Sequence, residues 1–276
     1  GPTQTHLPAP YSNIVNADSG NLCAPANLNL LLDQRGEPRP VGPACDLGAV
    51  EIDACGPITF PYILPDNAPA TLNAAIDCAN STVSTTDLID LNGQTVTLTV
   101  SAGDAGGATG LVSVRSPITI RNGTITRAGA SEFRLLNVNA GGNLILRDMT
   151  LTNGGGSGYQ DGGSLVSSNT GSTLSIVRSN LSGGIGSTGS SGGAIFFSGA
   201  LNVVNSTIRG NIAGRGGAIS GQNGPLVISN SVISGNVASN TTSNGGGAMF
   251  LTSITVNDAR ILNSTITGNY ASGTGA

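Results

Sequence analysis

One phrase occurs three times between Gly192 and Asn269, and it restricts the fold more than any other property of the chain. It reads Gly192-Gly193-Ala194-Ile195 followed by Asn205-Ser206-Thr207-Ile208-Arg209-Gly210-Asn211. It returns as Gly216-Gly217-Ala218-Ile219 with Asn230-Ser231-Val232-Ile233-Ser234-Gly235-Asn236, and again as Gly246-Gly247-Ala248-Met249 with Asn263-Ser264-Thr265-Ile266-Thr267-Gly268-Asn269. A recurrence of this length is one structural unit repeated. Degenerate copies lie upstream, so the apolar anchors are Ile125, Leu151, Leu181, Ile208, Ile233 and Ile266, at spacings of 26, 30, 27, 25 and 33 residues.

Five residues before the anchors stand Ile120, Leu146, Ile176, Val203, Ile228 and Ile261, and seven before stand Ile118, Leu144, Leu174, Leu201, Leu226 and Ala259. Both columns are apolar. The position between them is mixed: Thr119, Ile145, Ser175, Asn202, Val227 and Arg260. This alternation is the period of a strand with one buried face. A strand recurring once per two to three dozen residues predicts stacked coils, each strand pairing with its equivalent in the next, which is an all-β parallel solenoid. Residues 88–276 are expected to form about seven coils. Gly and Asn mark the corners, because they accept the positive φ that other residues resist. A helical solenoid is the rival, but the chain is rich in Gly and β-branched residues and lacks the Ala, Glu and Lys periodicity a helical repeat shows.

Composition narrows the setting. The chain has 276 residues, 42 of them Gly, with aromatics at 3% and charged residues at 9%; ordinary soluble domains carry roughly a quarter charged residues. All basic residues are Arg and the net charge is -4, so nucleic acid is not an expected partner. The absence of Lys excludes a P-loop and Lys-Asn isopeptide crosslinks. No run approaches the roughly 20 apolar residues of a membrane span, so no membrane insertion is expected. No signal peptide is visible, and a chain starting at Gly1 reads as a portion of a longer product.

Residues 1–53 do not carry the repeat. They contain Gly1-Pro2-Thr3-Gln4-Thr5-His6, then Asp33-Gln34-Arg35-Gly36-Glu37-Pro38-Arg39-Pro40 and Cys45-Asp46-Leu47-Gly48-Ala49-Val50-Glu51. This set resembles the C-terminal ending of secreted bacterial right-handed parallel β-helix proteins of the choice-of-anchor Q type. The Gly-Gly-Ala-Ile and Asn-Ser-x-Ile repeats also resemble those of polymorphic outer-membrane proteins. The resemblance implies a right-handed solenoid with a helix over its first coil and an extracellular or cell-surface location. It also shows a displacement: what closes the domain in that family stands here at the front.

Residues 54–68, with Pro57, Pro61 and Pro65, read as an extended linker. Residues 69–80 predict the one helix, with Thr71 as N-cap and Leu72, Ala75, Ile76 and Ala79 on one face, capping the stack. Residues 87–100, with Leu88, Ile89, Leu91, Val96, Leu98 and Val100, start the solenoid, so the repeat domain covers 81–276.

The four cysteines, Cys23, Cys45, Cys55 and Cys78, all precede the repeats. An even count with a single histidine, His6, favours disulfides over metal. Three pairings are open from four cysteines; proximity and the resemblance favour Cys23 with Cys45 and Cys55 with Cys78.

Right-handed β-helices include polysaccharide lyases and hydrolases, so a carbohydrate-active enzyme or a glycan-binding adhesin is the alternative function. Such chemistry needs paired carboxylates roughly 5–10 Å apart, or acidic metal ligands with a base. In a solenoid these appear as acids in one column of adjacent coils. Here Asp148 lies beside Asn122 and Arg178, while Glu132, Asp161 and Asp258 are scattered. There is no Trp, and Tyr and Phe form no sugar-stacking column. No catalytic residue, cofactor or metal site is therefore assigned, and the sequence reads as no enzyme.

Asn122, Asn205, Asn230 and Asn263 share one column and Asn211, Asn236 and Asn269 another, which stacked corner amides explain. Asn80, Asn122, Asn180, Asn205, Asn240 and Asn263 begin N-x-S/T sequons, which a repeat rich in these residues makes by chance, with Asn240 in an expected loop. Gly154 to Gly158 reads as a corner loop.

The function expected is noncatalytic and structural: an extracellular β-helix assembling head to tail with copies of itself, surface glycans being a further candidate partner. The assembly segment is the leader, whose charged residues Asp33, Arg35, Arg39, Asp46 and Glu51 also suit mutual ion pairs within a cap. The leader either completes the open end of a neighbour, lies back along its own solenoid, or belongs to a tandem array.

Overall fold

The computed structural model describes residues 55, 57–81, 86–102, 108–156, 163–240, 245–254 and 258–272. The described chain is a parallel β-solenoid, and every strand pair in it is parallel. Its main sheet has 13 strands, and the second and third sheets have five each. A representative turn starts with Ala200–Val204 and Thr207–Arg209 in the main sheet. It continues through Ile212–Ala213 in the second sheet and closes with Ile219–Gln222 in the third. The main sheet is seven rungs deep, from Asp87–Asp90 to Ala259–Leu262, and so encloses six full turns; the sequence estimate of about seven coils counts the rungs.

The register follows the sequence columns. Ile118, Leu144, Leu174, Leu201, Leu226 and Ala259 are successive partners, as are Ile120, Leu146, Ile176, Val203, Ile228 and Ile261. Ile125, Leu151, Leu181, Ile208, Ile233 and Ile266 form the third column. All but the last rung's members are fully buried in one hydrophobic core. The mixed column between the first two lies outside and is half-buried down to Val227.

Two corners bound the strand that carries the anchor. The first holds Asn122, Asp148, Arg178, Asn205, Asn230 and Asn263, with φ of 58°, 53°, 47°, 51°, 49° and 45°. This column is a backbone device: its residues sit in the left-handed region, which Asn tolerates best. It is not the amide stack expected from sequence. The second corner holds Gly183, Gly210, Gly235 and Gly268, all with φ near 60°. The Gly-Gly-Ala phrase has a different cause. A Cβ on Gly193 would meet the Gly217 carbonyl, and one on Gly217 the Gly247 carbonyl, so successive coils approach too closely there for any side chain. Ala194 and Ala218 turn into the core. Gly221 leaves the space that the Phe197 ring of the preceding rung occupies.

At the other end the helix α1 (Pro69–Ser81) lies over the first coils, burying Leu72, Ala75, Ile76 and Ala79. The expected N-cap Thr71 is displaced into the first turn. Pro69 opens the helix, where its missing N–H costs nothing, and the Asp66 carboxylate accepts from the Ala68 N–H at 3.0 Å. The expected linker is also more ordered than its prolines suggest, because Tyr62–Ile63 adds a parallel strand to Asp87–Asp90. Within the first rung Ile89, Leu91, Val96 and Leu98 are buried, whereas Leu88 faces outward and Val100, past the strand end, is exposed.

Cys55 and Cys78 form a disulfide with Cα atoms 4.4 Å apart, closing 23 residues of sequence separation onto α1; a loop of this size contributes on the order of 3 kcal/mol in the chain-entropy model. Cys23, Cys45, Asp33, Arg35, Arg39, Asp46 and Glu51 lie outside the described residues.

Candidate functional site: side-chain ladders and the last rung

Two ladders of polar side chains run inside the solenoid, parallel to its axis. In the first, each Ser after the corner Asn donates its hydroxyl to a carbonyl two residues back: Ser206 to Val204 and Ser231 to Ser229, both at 2.8 Å. The same oxygen accepts the main-chain N–H of the Ser in the preceding rung, so that Ser179 N–H meets Ser206, Ser206 meets Ser231 and Ser231 meets Ser264, each at 3.1 Å. In the sequence these serines stand in the Asn-Ser-x-Ile repeat and in the sequons, with no role of their own. Their signal was visible: a small hydroxyl residue fixed at one place in the repeat, beside a corner where a strand N–H loses its ladder partner.

The second ladder is the Asn211, Asn236, Asn269 column. Asn211 donates its side-chain amide to Asn236 Oδ1 at 2.9 Å, and Asn236 donates to Asn269 Oδ1 at 2.8 Å. The main-chain N–H groups of Asn211 and Asn236 reach the same acceptors, both at 3.0 Å. Asn211 and Asn236 are fully buried. This column is the amide stack expected from sequence, lying inside the turn.

Each ladder points one way: a rung's N–H needs the side-chain oxygen of the following rung. In the last described rung, the main-chain N–H groups of Ser264 and Asn269 have no acceptor among the described residues. The same rung exposes the core columns. Ile261 is 45% and Ile266 41% exposed, where Ile228 and Ile233 one rung earlier are at 0%. Leu262 and Tyr270 are exposed beside them. The last described rung therefore presents apolar and hydrogen-bonding positions in the register of the repeat.

Among the described residues Asp148 and Asp90 are each paired with an arginine. Asp148 is held by Arg178 through two hydrogen bonds of 2.7 Å, and the Arg178 guanidinium keeps its carboxyl below the usual range. Burial pushes the Asp90 carboxyl up, but the Asn92 N–H and the side chains of Arg121 and Asn122 outweigh it and leave it below its ordinary value. Among the described residues no group of three His, Cys, Asp or Glu is placed to hold a metal ion. A shallow open groove of about 410 Å³ runs along the glycine corner, lined by Ser182, Gly183, Arg209, Gly210, Ser234 and Gly235.

Among the described residues Asp77, on α1, is the carboxyl raised markedly, to about 6, by burial, with Arg115 pulling the other way. Between pH 3.8 and 6 the folded chain holds a proton the unfolded chain has released, so stability falls as pH rises through that window. Asp77→Asn is expected to remove this slope and to stabilise the chain above pH 6 by about 2 kcal/mol, read from urea unfolding at several pH values. An unchanged slope would show that the Asp77 environment is not the cause.

Among the described residues no helix is long and apolar enough to cross a membrane. No family description, no curated protein and no solved structure matches this chain.

Proposed function

We propose that the chain is a noncatalytic structural solenoid of the cell exterior that joins end to end with copies of itself through its last rung. The observation that carries this reading is the rung Ala259–Leu262 and Thr265–Thr267, whose core-column side chains meet solvent and whose ladder N–H groups have no acceptor among the described residues. The Cys55–Cys78 disulfide supports an oxidising compartment. A second copy fits as the occupant because the template carries the spacing of the repeat itself. Because α1 lies over the first coils and closes that end to strand pairing, the strand a neighbouring copy brings to the last rung comes from elsewhere in its chain, and the head-to-tail contact joins two different surfaces. Such a heterologous contact propagates into a filament unless it closes into a ring.

Ile261→Arg with Ile266→Arg is the test. Both residues are exposed, so the rest of the stack keeps its core, while an incoming strand meets two buried unpaired charges, each costing several kcal/mol. Sedimentation and electron microscopy of the parent chain are expected to show concentration-dependent linear species that the double variant loses. A parent chain that stays monomeric at every concentration, or a variant that assembles equally well, overturns the reading.

A further inference from the structure

The third sheet is buried on both faces, and only one of those burials belongs to the core. Along Leu136–Val138, Val166–Ser168, Ile195–Phe197 and Ile219–Gln222, the residues Leu136, Val138, Val166, Ile195, Phe197 and Ile219 join the hydrophobic core. The residues between them point the other way. With Ser113, joined to this column by an Asn137 Nδ2 hydrogen bond of 2.8 Å, they are Asn137, Ser167, Phe196 and Ser220. Their exposures are 1% for Ser113, Asn137 and Ser167, 7% for Phe196 and 4% for Ser220. The equivalent outward column of the main sheet stays half-buried at best.

Something therefore covers this outer face over five rungs, yet among the described elements the third sheet packs chiefly against its own neighbours in the stack. Phe196 lies outside the core cluster, so its burial needs an apolar partner from elsewhere. Asn137 Oδ1 is buried with no hydrogen-bond partner among the described residues, which is the kind of acceptor a covering segment's N–H satisfies.

We infer that residues 1–53 bind along this outer face of the third sheet of their own molecule. Three observations select that occupant. The chain enters the described region at Cys55, which is tied to Cys78 on α1. Two residues beyond Cys78, Asn80 donates to the Ser113 carbonyl at 2.8 Å and accepts from the Arg115 N–H at 2.7 Å, so the leader leaves α1 at the head of the covered column. The column from Ser113 to Ser220 crosses four rung spacings, about 19 Å, which roughly six extended residues span. Every other undescribed segment has at most six residues and lies within a single turn, whereas the leader is long enough to run the whole column. It also carries Leu28, Leu30, Leu31 and Leu32, an apolar stretch of the kind Phe196 needs. The tether makes the contact intramolecular, with an effective concentration of about a millimolar or more.

This inference concerns a different face from the end-to-end reading and survives its failure. The test uses the full chain and the bond after Arg35. The chain has no Lys and Arg39 precedes Pro40, so limited trypsin treatment cuts the leader after Arg35 alone, and reducing the quenched digest, which opens the expected Cys23–Cys45 bond, releases residues 1–35 as one fragment identifiable by mass spectrometry. Phe196→Glu, and separately Ser167→Glu, are expected to accelerate that release by about tenfold or more while cleavage after Arg209 keeps its rate. Both positions face away from the core, so the solenoid itself stays folded. In the parent chain, protection of Arg35 is expected to be constant over about a hundredfold dilution. Unchanged release in both variants would place the leader elsewhere and overturn the inference. Protection lost on dilution overturns it too, because it shows the leader bound by a neighbouring copy. Ile261→Arg with Ile266→Arg should leave Arg35 protection intact, which separates this result from the fate of the end-to-end contact.

Discussion

Aspartate at Val203 or at Ile228 is expected to abolish folding, whereas aspartate at Asn202, one residue along the same strand, leaves the solenoid intact. Val203 and Ile228 are register partners in one fully buried column, with Ile176 above and Ile261 below. Replacing either loses the burial of a branched aliphatic side chain, about 2 kcal/mol, and adds a carboxylate with no cationic partner in the core. The second effect dominates: an unpaired buried charge costs several kcal/mol even after relaxation. The total, more than about 5 kcal/mol, rivals the whole stability of an ordinary domain. A stack has no means of isolating the damage, because each rung is held only by its neighbours. Asn202 points outward between Ser175 and Val227 and is half-buried, so its exchange for Asp changes a hydrated amide into a hydrated carboxylate, within about 0.5 kcal/mol. Circular dichroism and thermal unfolding of the three variants decide the matter. Equal tolerance, or equal failure, at all three positions would show the inward and outward assignment to be wrong.

The inward columns were readable in the sequence because a strand's period of two converts directly into a choice of face, and three columns keep an aliphatic residue at nearly every rung. What stayed hidden depends on relations between coils. That Ser206 supplies the acceptor for Ser179 requires knowing that residues 27 apart are neighbours with a particular polarity, which the repeat implies only after the register is known. The second glycine of Gly-Gly-Ala is legible as an unusual residue, yet its reason is the carbonyl of the next coil and not its own φ. The first Asn column was visible too, but sequence cannot separate a side-chain ladder from a left-handed corner. Asp148 and Arg178 occupying the same corner are the clue, since neither can continue an amide stack. The start of the helix at residue 69 was legible, but its cap was not: Thr71 is a good cap by type, while Pro69 and Asp66 already begin the helix two residues earlier.

The last described rung leaves its core columns open to solvent, while the outer face of the third sheet is buried. If the leader runs from α1 along the third sheet, it travels toward the last rung of its own chain. Exchange of that strap between copies would then keep every contact of the covered face while linking the molecules, which is the low-cost route to assembly by swapping. The dilution dependence of Arg35 protection distinguishes a leader bound in its own molecule from an exchanged one.

The buried amide ladder gives the second large effect. Asn236→Ala is expected to destabilise the chain by about 3–5 kcal/mol, while Asn269→Ala in the last rung costs about 1 kcal/mol. At position 236 the side-chain oxygen receives both the main-chain N–H and the side-chain amide of Asn211, and its own amide donates to the carbonyls of Ile208 and Ser234 and to Asn269. Removing it strands the Asn211 N–H at a site with no access to water, a penalty of about 1–3 kcal/mol alone. The freed Ile208 and Ser234 carbonyls and the void where the amide stood add the rest. Asn269 has the same partners on its inner side but is half-exposed, so water replaces what alanine removes. Asn236→Asp sharpens the contrast. It keeps an acceptor for Asn211 but turns a carboxylate toward the Ile208 and Ser234 carbonyls and Asn269 Oδ1, so its stability should recover as pH falls and the carboxyl gains a proton to donate. Urea unfolding midpoints for the three variants measure this order. Comparable losses for alanine at 236 and 269, or a loss below about 1 kcal/mol at 236, would mean that the ladder does not hold the coils together.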